Sequence, residues 1–455
     1  MARQRWPAAV RGACPGGDDR PMSQAAGLLT PAGGELLGRL RGLEITPEQA
    51  LRLSAELRGQ YPADLVAAAL TQQSLRVAGR EKFSRAEEML FTRAGLEQAS
   101  GELAAAHSAR RFAGLGLVAD LCCGIGGDLI PLASAARRVL AVDADLDTLR
   151  FAVRNASVYG TARRVFPLCA DVRSLSLTGT EAVFIDPARR ADGRRLRTGD
   201  SQPPLDWCLA LADRVPRVCI KAAPGLAREL VPEGWEAEFV AVGRALKEAL
   251  LWSPAFATTS WRATVLAPAG GGGAAAGAGG PVTSGAGAAA TSGGGPVAAD
   301  GSAGGTGSPD GRAAGVTLAA SPGTPVPVAD PGEYLLDPNP AVTRAGLVAE
   351  LARDLGAWQI DPMIAFLAMD RAVSTPFART LHVLVSMPWH ERQAARQLRE
   401  LGVGTADIRR RGLAGDVQQI HRRLGLQGAR SATIVLTRRN DRPWCLICEP
   451  VTPPG

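Results

Sequence analysis

VADLCCGIGG, Val118–Gly127, is the stretch whose reading decides the fold. Small and apolar residues lead into Asp120, and two cysteines and Gly124, Gly126 and Gly127 follow. A buried strand ending in a glycine-rich turn ahead of a helix is how α/β sheets receive a nucleotide-like ligand. Glycine tolerates unusual φ angles and lets the backbone approach the ligand closely. The next strand, Arg138–Val142, leads into Asp143, roughly 20 residues on, where a ribose-binding carboxylate is expected. The sixth position of the glycine run is Leu129, where the dinucleotide fingerprint wants Gly or Ala. That bulk disfavours NAD or FAD and suits an adenosine ligand without a phosphate. An ordinary buried strand and turn is the plainer alternative, against which Asp143 and a later motif agree.

Outward from this turn, strands and helices alternate, the sign of a parallel sheet with crossovers. Strands are expected at Leu117–Leu121, Val139–Val142, Val165–Cys169, Ala182–Ile185 and Val218–Lys221, with a helix over Asp147–Tyr159. Glu236–Val242, Ala249–Ser253 and Arg262–Leu266 read as later, antiparallel strands, the middle one open to a helical reading. Upstream the pattern is helical. Thr46 with Gln49 reads as a capping box with Pro47 at the first helical position, and Pro62–Ala78 carries an apolar stripe. Ser84 with Glu87 reads as a second box opening a helix through Leu90, and Leu96–Phe112 as a third helical run.

Pro268–Ala329 is almost all Gly, Ala, Ser, Thr and Pro and cannot bury enough apolar surface to offset its ordering entropy. Gly315–Ala319 is expected to return and pair with Arg262–Leu266, which would make the insert a hairpin loop. Beyond it, Ala341–Leu355 reads as one amphipathic helix, Leu381–Ser386, Ala432–Thr437 and Trp444–Cys448 as strands, and His390–Leu401 and Val417–Arg423 as helices. The expected domains are a disordered stretch over 1–40, a helical module over 41–113, a nucleotide-binding core over 114–267, the insert over 268–330 and a C-terminal domain over 331–455.

At 455 residues and 46% hydrophobic content the chain has room for two or three cores, and no run approaches a membrane span. The N-terminus has no apolar signal core, and Met22 is an alternative start. Eight cysteines at scattered positions suggest no disulfide framework, so a reducing cytoplasm is the expected compartment. Cys445 and Cys448 form a lone CxxC without further ligands nearby, so no metal is expected. The four histidines form no pair or triad. With three lysines against a large excess of arginine, only local charge balance carries meaning. From Trp389 to Arg442, 12 arginines stand against five acidic residues. That excess over Arg409, Arg410 and Arg411 fits phosphate binding, with a solvated basic face as the alternative.

These residues carry a resemblance. VADLCCGIGGDLIPLASAARRVLAVDADLDTLRFAVRNASVYG resembles the first half of a class I S-adenosylmethionine (SAM)-dependent methyltransferase, nearest the trimethylguanosine synthase branch. From about Tyr61 to Thr437 the chain resembles bacterial methyltransferases with a C-terminal THUMP-like domain, through this turn, FIDPARR at Phe184–Arg190 and the tail. The resemblance implies a Rossmann-like α/β sheet, an N-terminal helical module and a small α/β THUMP-like domain. It implies SAM held by Asp120, Cys122, Gly124 and Gly126 at its methionine part, by Asp143 at the ribose and by Asp171 at the adenine amino group. In that family the helical module closes over SAM, with an F-x-x-T segment where Phe91 and Thr92 stand here.

Amino-methyltransferases place D/N-P-P-Y/F/W at the fourth strand's end, where the polar side chain and the proline carbonyl hold the amine. This chain keeps Asp186 and Pro187 but has Ala188 and Arg189 for the second proline and the aromatic. Arg189 would stack on a base or pair with phosphate. Lys221 at the end of strand five reads equally as a structural partner. The expected activity is N-methylation of an RNA base amino group. A small-molecule methyltransferase, or a non-catalytic SAM- or nucleotide-binding RNA-associated protein, are the alternatives.

Overall fold

The computed structural model describes residues 24–188, 190–191, 194–195, 201–267, 315–413 and 416–451. The chain divides into two units, one running to Ala237 and taking in Lys247–Thr258, the other formed by Glu238–Leu246 and Thr259 onward.

The first unit opens with helices α1 (Gln24–Gly27), α2 (Pro31–Leu40), α3 (Pro47–Leu57) and α4 (Ala63–Gly79). The capping box at Thr46 and Gln49 is present, with Pro47 following it. Disorder to residue 40 is corrected from Gln24 onward. Thr30 caps α2, and Leu36, Leu37 and Leu40 pack with Leu57, Val66 and Phe151. That burial supplies what composition alone hid. The expected helix from Ser84 to Leu90 is also corrected: only Ala86–Glu88 makes a 3-10 turn, and Met89 is extended. Two competing bonds explain it. Ser84 spends its N–H and hydroxyl on Glu102. Meanwhile the Arg76, Gln72 and Asn155 side chains take the backbone groups of Met89, Phe91 and Leu90. The third helical run breaks into α5 (Arg93–Gln98) and α6 (Glu102–Ala109) around Ala99–Gly101.

The sheet follows: β1 (Leu117–Leu121), α7 (Leu129–Ala135), β2 (Arg138–Asp143), α8 (Leu146–Val158), β3 (Val165–Cys169) and β4 (Ala182–Ile185). After a two-residue pair, β5 (Arg190–Ala191) with β6 (Arg194–Arg195), come α9 (Leu205–Leu209), β7 (Arg217–Ala222), β8 (Glu236–Val242), which passes into the second unit at Glu238, and β9 (Ala245–Trp252), which returns to the first at Lys247. The stretch left open to a helical reading is therefore strand. Within this unit the order is β9-β7-β4-β1-β2-β3, all parallel except β9, which runs antiparallel to β7. From β1 the chain moves out to β2 and β3 and then crosses back to β4 on the other side of β1, so β1 and β4 flank the topological switch point. Ligands of open α/β sheets bind there, beyond the strands' carboxyl ends.

In the second unit β10 (Trp261–Leu266) pairs antiparallel with β11 (Gly315–Ala319), Arg262 opposite Ala319, as the sequence led us to expect. Then come β12 (Tyr334–Pro338), α10 (Pro340–Ala345), α11 (Val348–Leu355), β13 (Trp358–Gln359), β14 (Leu367–Met369) and β15 (Ala378–Pro388). The chain closes with α12 (Glu391–Glu400), β16 (Val403–Arg410), α13 (Val417–Leu424), β17 (Arg430–Arg439) and β18 (Arg442–Pro450). The single helix expected over Ala341–Leu355 is broken at Gly346, whose φ of 73° caps α10. A seven-stranded sheet forms in the order β13-β14-β12-β15-β18-β17-β16, with β16 parallel to β17. Helices α12 and α13 cover one face of it through Ala394, Ala395, Leu398 and Leu424.

Candidate active site

Asp120 stands on β1 directly between Ala141 of β2 and Phe184 of β4. It is 1% exposed, and among the described residues neither carboxylate oxygen has a hydrogen-bond partner. Burial, with the neighbouring Asp128 and Asp186 charges adding to it, holds its carboxyl well above the usual range. A buried, unsatisfied carboxylate is costly, and a cationic group of a ligand would relieve it.

The turn after β1 is wound tightly. Cys122 takes a left-handed φ of 61°, a strained conformation for a side-chain-bearing residue that costs on the order of 1 kcal/mol. Cys123 donates to the Val142 carbonyl and Gly126 to that of Cys123, both at 3.0 Å, and these bonds hold the strain in place. Gly126 has φ 91°, and a Cβ there would meet the α8 backbone at Ala152 at 3.2 Å. Gly124, φ 55°, faces open space instead: a Cβ there would meet nothing within 4 Å among the described residues. One glycine therefore closes the turn onto a helix while the other leaves room for a ligand.

Asp143 ends β2 beside this turn. Its Oδ2 accepts the Gly124 N–H and its Oδ1 the Asp145 N–H, both at 2.9 Å. The carboxylate is thus fixed in direction, with lone pairs left on both oxygens. Asp171, beyond β3, is differently engaged. Arg173 donates to both of its oxygens, at 2.6 Å from Nη2 to Oδ2, and this pairing lowers its pKa.

At the end of β4, Asp186 donates its backbone N–H to Leu121, tying the β4 loop to β1. Its Oδ2 lies 2.5 Å from the Lys221 ammonium, which also donates to Asp128 Oδ2 at 2.9 Å. Lys221 is 2% exposed, whereas the Asp186 side chain keeps 23%. Burial opposes the charge on Lys221, but Asp128, Asp186 and Glu248 outweigh it and hold Lys221 as an ammonium. Glu248 on β9 completes the cluster and accepts from the Ser100 hydroxyl at 2.9 Å. Pro187 is buried next to Asp186, and Arg189 lies outside the described residues.

The structure thus brings Asp120, Cys122, Gly124, Gly126, Asp143, Asp186 and Pro187 to the carboxyl ends of β1, β2 and β4. Sequence reasoning missed Asp128, Glu248, Ser100 and Asn155. Of these, Asn155 alone carried a signal, lying inside the R-N-A-x-x-Y-G run of the stretch that carries the resemblance. In the second unit, Arg411 donates to buried Asp337 and to the Ala365 carbonyl and lies over the Phe366 ring. Arg409 pairs with Asp407 at the surface, and Arg410 is half-buried at the end of β16. Among the described residues no cluster of His, Cys, Asp and Glu could hold a metal, and Cys445 and Cys448 are free and buried.

Over 357 residues the chain is 34% identical to an uncharacterized S-adenosylmethionine-dependent methyltransferase of Mycobacterium tuberculosis, found in strains CDC 1551 / Oshkosh and H37Rv. That alignment covers 77% of this chain and 85% of the relative. The chain belongs to the S-adenosylmethionine-dependent methyltransferases. Within this methyltransferase, residues 115–191 match the family described as RNA cap guanine-N2 methyltransferase, residues 378–450 the THUMP domain-like family, and residues 21–79 a domain of unknown function. A crystal structure from Porphyromonas gingivalis W83 has the same fold, with a TM-score of 0.63 at 18% identity over 90% of this chain and 100% of that one. SAM is the cofactor. The site chemistry fits it: a buried carboxyl group with no hydrogen-bond partner among the described residues, where a cation would be welcome, open space over Gly124, and an oriented acceptor at Asp143. No helix among the described residues is long and apolar enough to cross a membrane.

Proposed function

We propose that this methyltransferase transfers the SAM methyl group to an amino nitrogen of an RNA base. The observation that carries the reading is Asp186, an acceptor partly open to solvent at the switch point, fixed by a buried lysine 2.5 Å away. In this assignment Asp120 and the turn from Cys122 to Gly126 take the methionine part. Asp143 accepts bonds from the ribose hydroxyls, and Asp171, once turned from Arg173, reaches the adenine amino group. Asp186 and the Pro187 carbonyl accept the N–H groups of the amine and aim its lone pair along the S–methyl axis.

SAM supplies a methyl already activated by the sulfonium, so alignment provides most of the acceleration. With SAM bound, the C–N bond would form as the C–S bond breaks, sulfur would keep the electron pair, and the surplus proton would leave the methylated nitrogen for water. An amine needs no prior deprotonation. That suits a site whose lysine is held as an ammonium and cannot serve as a general base.

RNA as the acceptor is supported by the THUMP domain-like match and by the charge of that region. Its exposed arginines concentrate on two helices. Arg392, Arg396 and Arg399 of α12 and Arg422 and Arg423 of α13 face solvent, while Arg411 is spent on Asp337. An arginine surface of this kind binds phosphates through bidentate bonds and counterion release. A cytoplasmic location fits such a substrate. Incubation of the full chain with methyl-labelled SAM and total cellular RNA tests the reading. Label that nuclease releases as a base-methylated nucleoside is expected, and label confined to small molecules would overturn it.

A further inference from the structure

We infer that Lys221 is a positioning residue for methyl transfer, dictating which oxygen of Asp186 meets the acceptor. The inference rests on Asp186 facing the acceptor, as proposed above. Lys221 emerges from β7, next to β4 in the sheet, so its side chain reaches Asp186 from inside the protein. It is nearly solvent-free and anchored on its other side by Asp128, the residue just before α7. Lys221 has three protons and no acceptor capacity. Bound to Oδ2, it occupies that oxygen from the buried side and leaves Oδ1 with both lone pairs to accept an N–H bond from outside. The anchoring matters because Asp128 and Lys221 are both buried, and neither can swing away without leaving an unpaired charge.

The arrangement makes an unusual demand on position 186. Related amino-methyltransferases accept Asp or Asn there, but with Lys221 in place an asparagine would be forced the wrong way round. Its carbonyl oxygen would be taken by the ammonium and its NH2 turned toward the amine, donor against donor. Removing the lysine would free the amide to turn over and present its oxygen.

The test is a mutant cycle. Full-length protein is incubated with methyl-labelled SAM and a heat-treated cell extract containing both RNA and small metabolites. Total label transferred reads the cycle, whatever the acceptor. The nuclease-sensitive share of that label reads the RNA proposal separately. Affinity for S-adenosylhomocysteine and thermal unfolding are measured on every variant. Asp186→Asn is expected to lose at least 100-fold in kcat with cofactor affinity within threefold, and Lys221→Met at least tenfold. The double variant Asp186→Asn/Lys221→Met is expected to recover at least tenfold over Asp186→Asn. A lysine that merely supports the fold predicts a double variant no better than either single one, and that result would overturn the inference. Should the Asp128 charge left behind prevent folding, adding Asp128→Asn removes it and the same recovery is expected. If no lysine variant folds, a loss under tenfold in Asp186→Asn alone overturns the inference.

Discussion

Asn155 holds Leu90 at both backbone groups: its Oδ1 accepts the Leu90 N–H and its Nδ2 donates to the Leu90 carbonyl, each at 2.8 Å. The same Nδ2 donates to the carbonyl of Ile125 at 2.9 Å, inside the glycine-rich turn. One fully buried amide on α8 thus joins the helical module to the glycine-rich turn. Asn155→Ala strands three backbone groups. It is expected to cost about 3 kcal/mol in urea unfolding and to weaken S-adenosylhomocysteine binding about tenfold by calorimetry.

Asp143→Ala removes the oriented acceptor beside Gly124. Hydrogen bonds to a charged group are worth about 1.5–3 kcal/mol, so S-adenosylhomocysteine affinity is expected to fall roughly 10- to 100-fold. Calorimetry with an unchanged dissociation constant would remove Asp143 from the cofactor site.

The acid cluster gives the protein a pH-dependent stability. Burial, only partly offset by the Lys221 ammonium, pushes Glu248 up to about 7 from an ordinary 4.5. The unfolded chain releases that proton near the ordinary value while the folded chain keeps it, so stability falls as pH rises between these two values and levels off above. The full effect is on the order of 3 kcal/mol. Burial raises Asp120 and Asp128 as well, in the same direction. Glu248→Gln, which retains an acceptor for Ser100, is therefore expected to stabilise the protein by about 2 kcal/mol at pH 8 and little at pH 5. Urea unfolding at the two pH values checks it.

The two faces of the basic region separate by experiment. Arg411→Met leaves Asp337 paired with Arg244 and without its second cation and is expected to cost about 2 kcal/mol of stability. Its effect on RNA retention is expected to be slight. Replacing Arg392, Arg399, Arg422 and Arg423 by glutamine should leave stability nearly unchanged. It should weaken filter retention of bulk tRNA and flatten its salt slope by roughly 0.7–0.9 for each phosphate no longer neutralised. The reverse pattern would return the interface to the strand end at Arg409–Arg411.

The fold was legible where one local rule operates alone. The glycine turn, the strand ends at Asp143 and Asp186, the Thr46 capping box and the return of Gly315–Ala319 to Arg262–Leu266 all follow from short-range pattern. It was illegible where tertiary bonds override propensity. Met89 and its neighbours look helical and are extended, because side chains 13 to 65 residues away claim their backbone groups. Gly346 interrupts a helix whose apolar periodicity runs through it unbroken. In the site, β1, β2 and β4 announce their carboxylates by the residues at their ends. Glu248 and Asp128 announce nothing, because their meaning is a shared neighbour, Lys221, contributed by another strand. Arg411 shows the converse: a basic run suggests solvent, but charge in sequence does not reveal a buried Asp337 waiting for it.

The central claim is methyl transfer to an amino nitrogen held by Asp186. The most direct measurement is nucleoside mass spectrometry of cellular RNA after reaction with deuteromethyl SAM, wild type beside Asp186→Ala. The expected result is a deuteromethyl group on an exocyclic base nitrogen, made by wild type and reduced at least 100-fold in the variant. Deuterium on a ribose oxygen or a carbon, or equal labelling by Asp186→Ala, would contradict it.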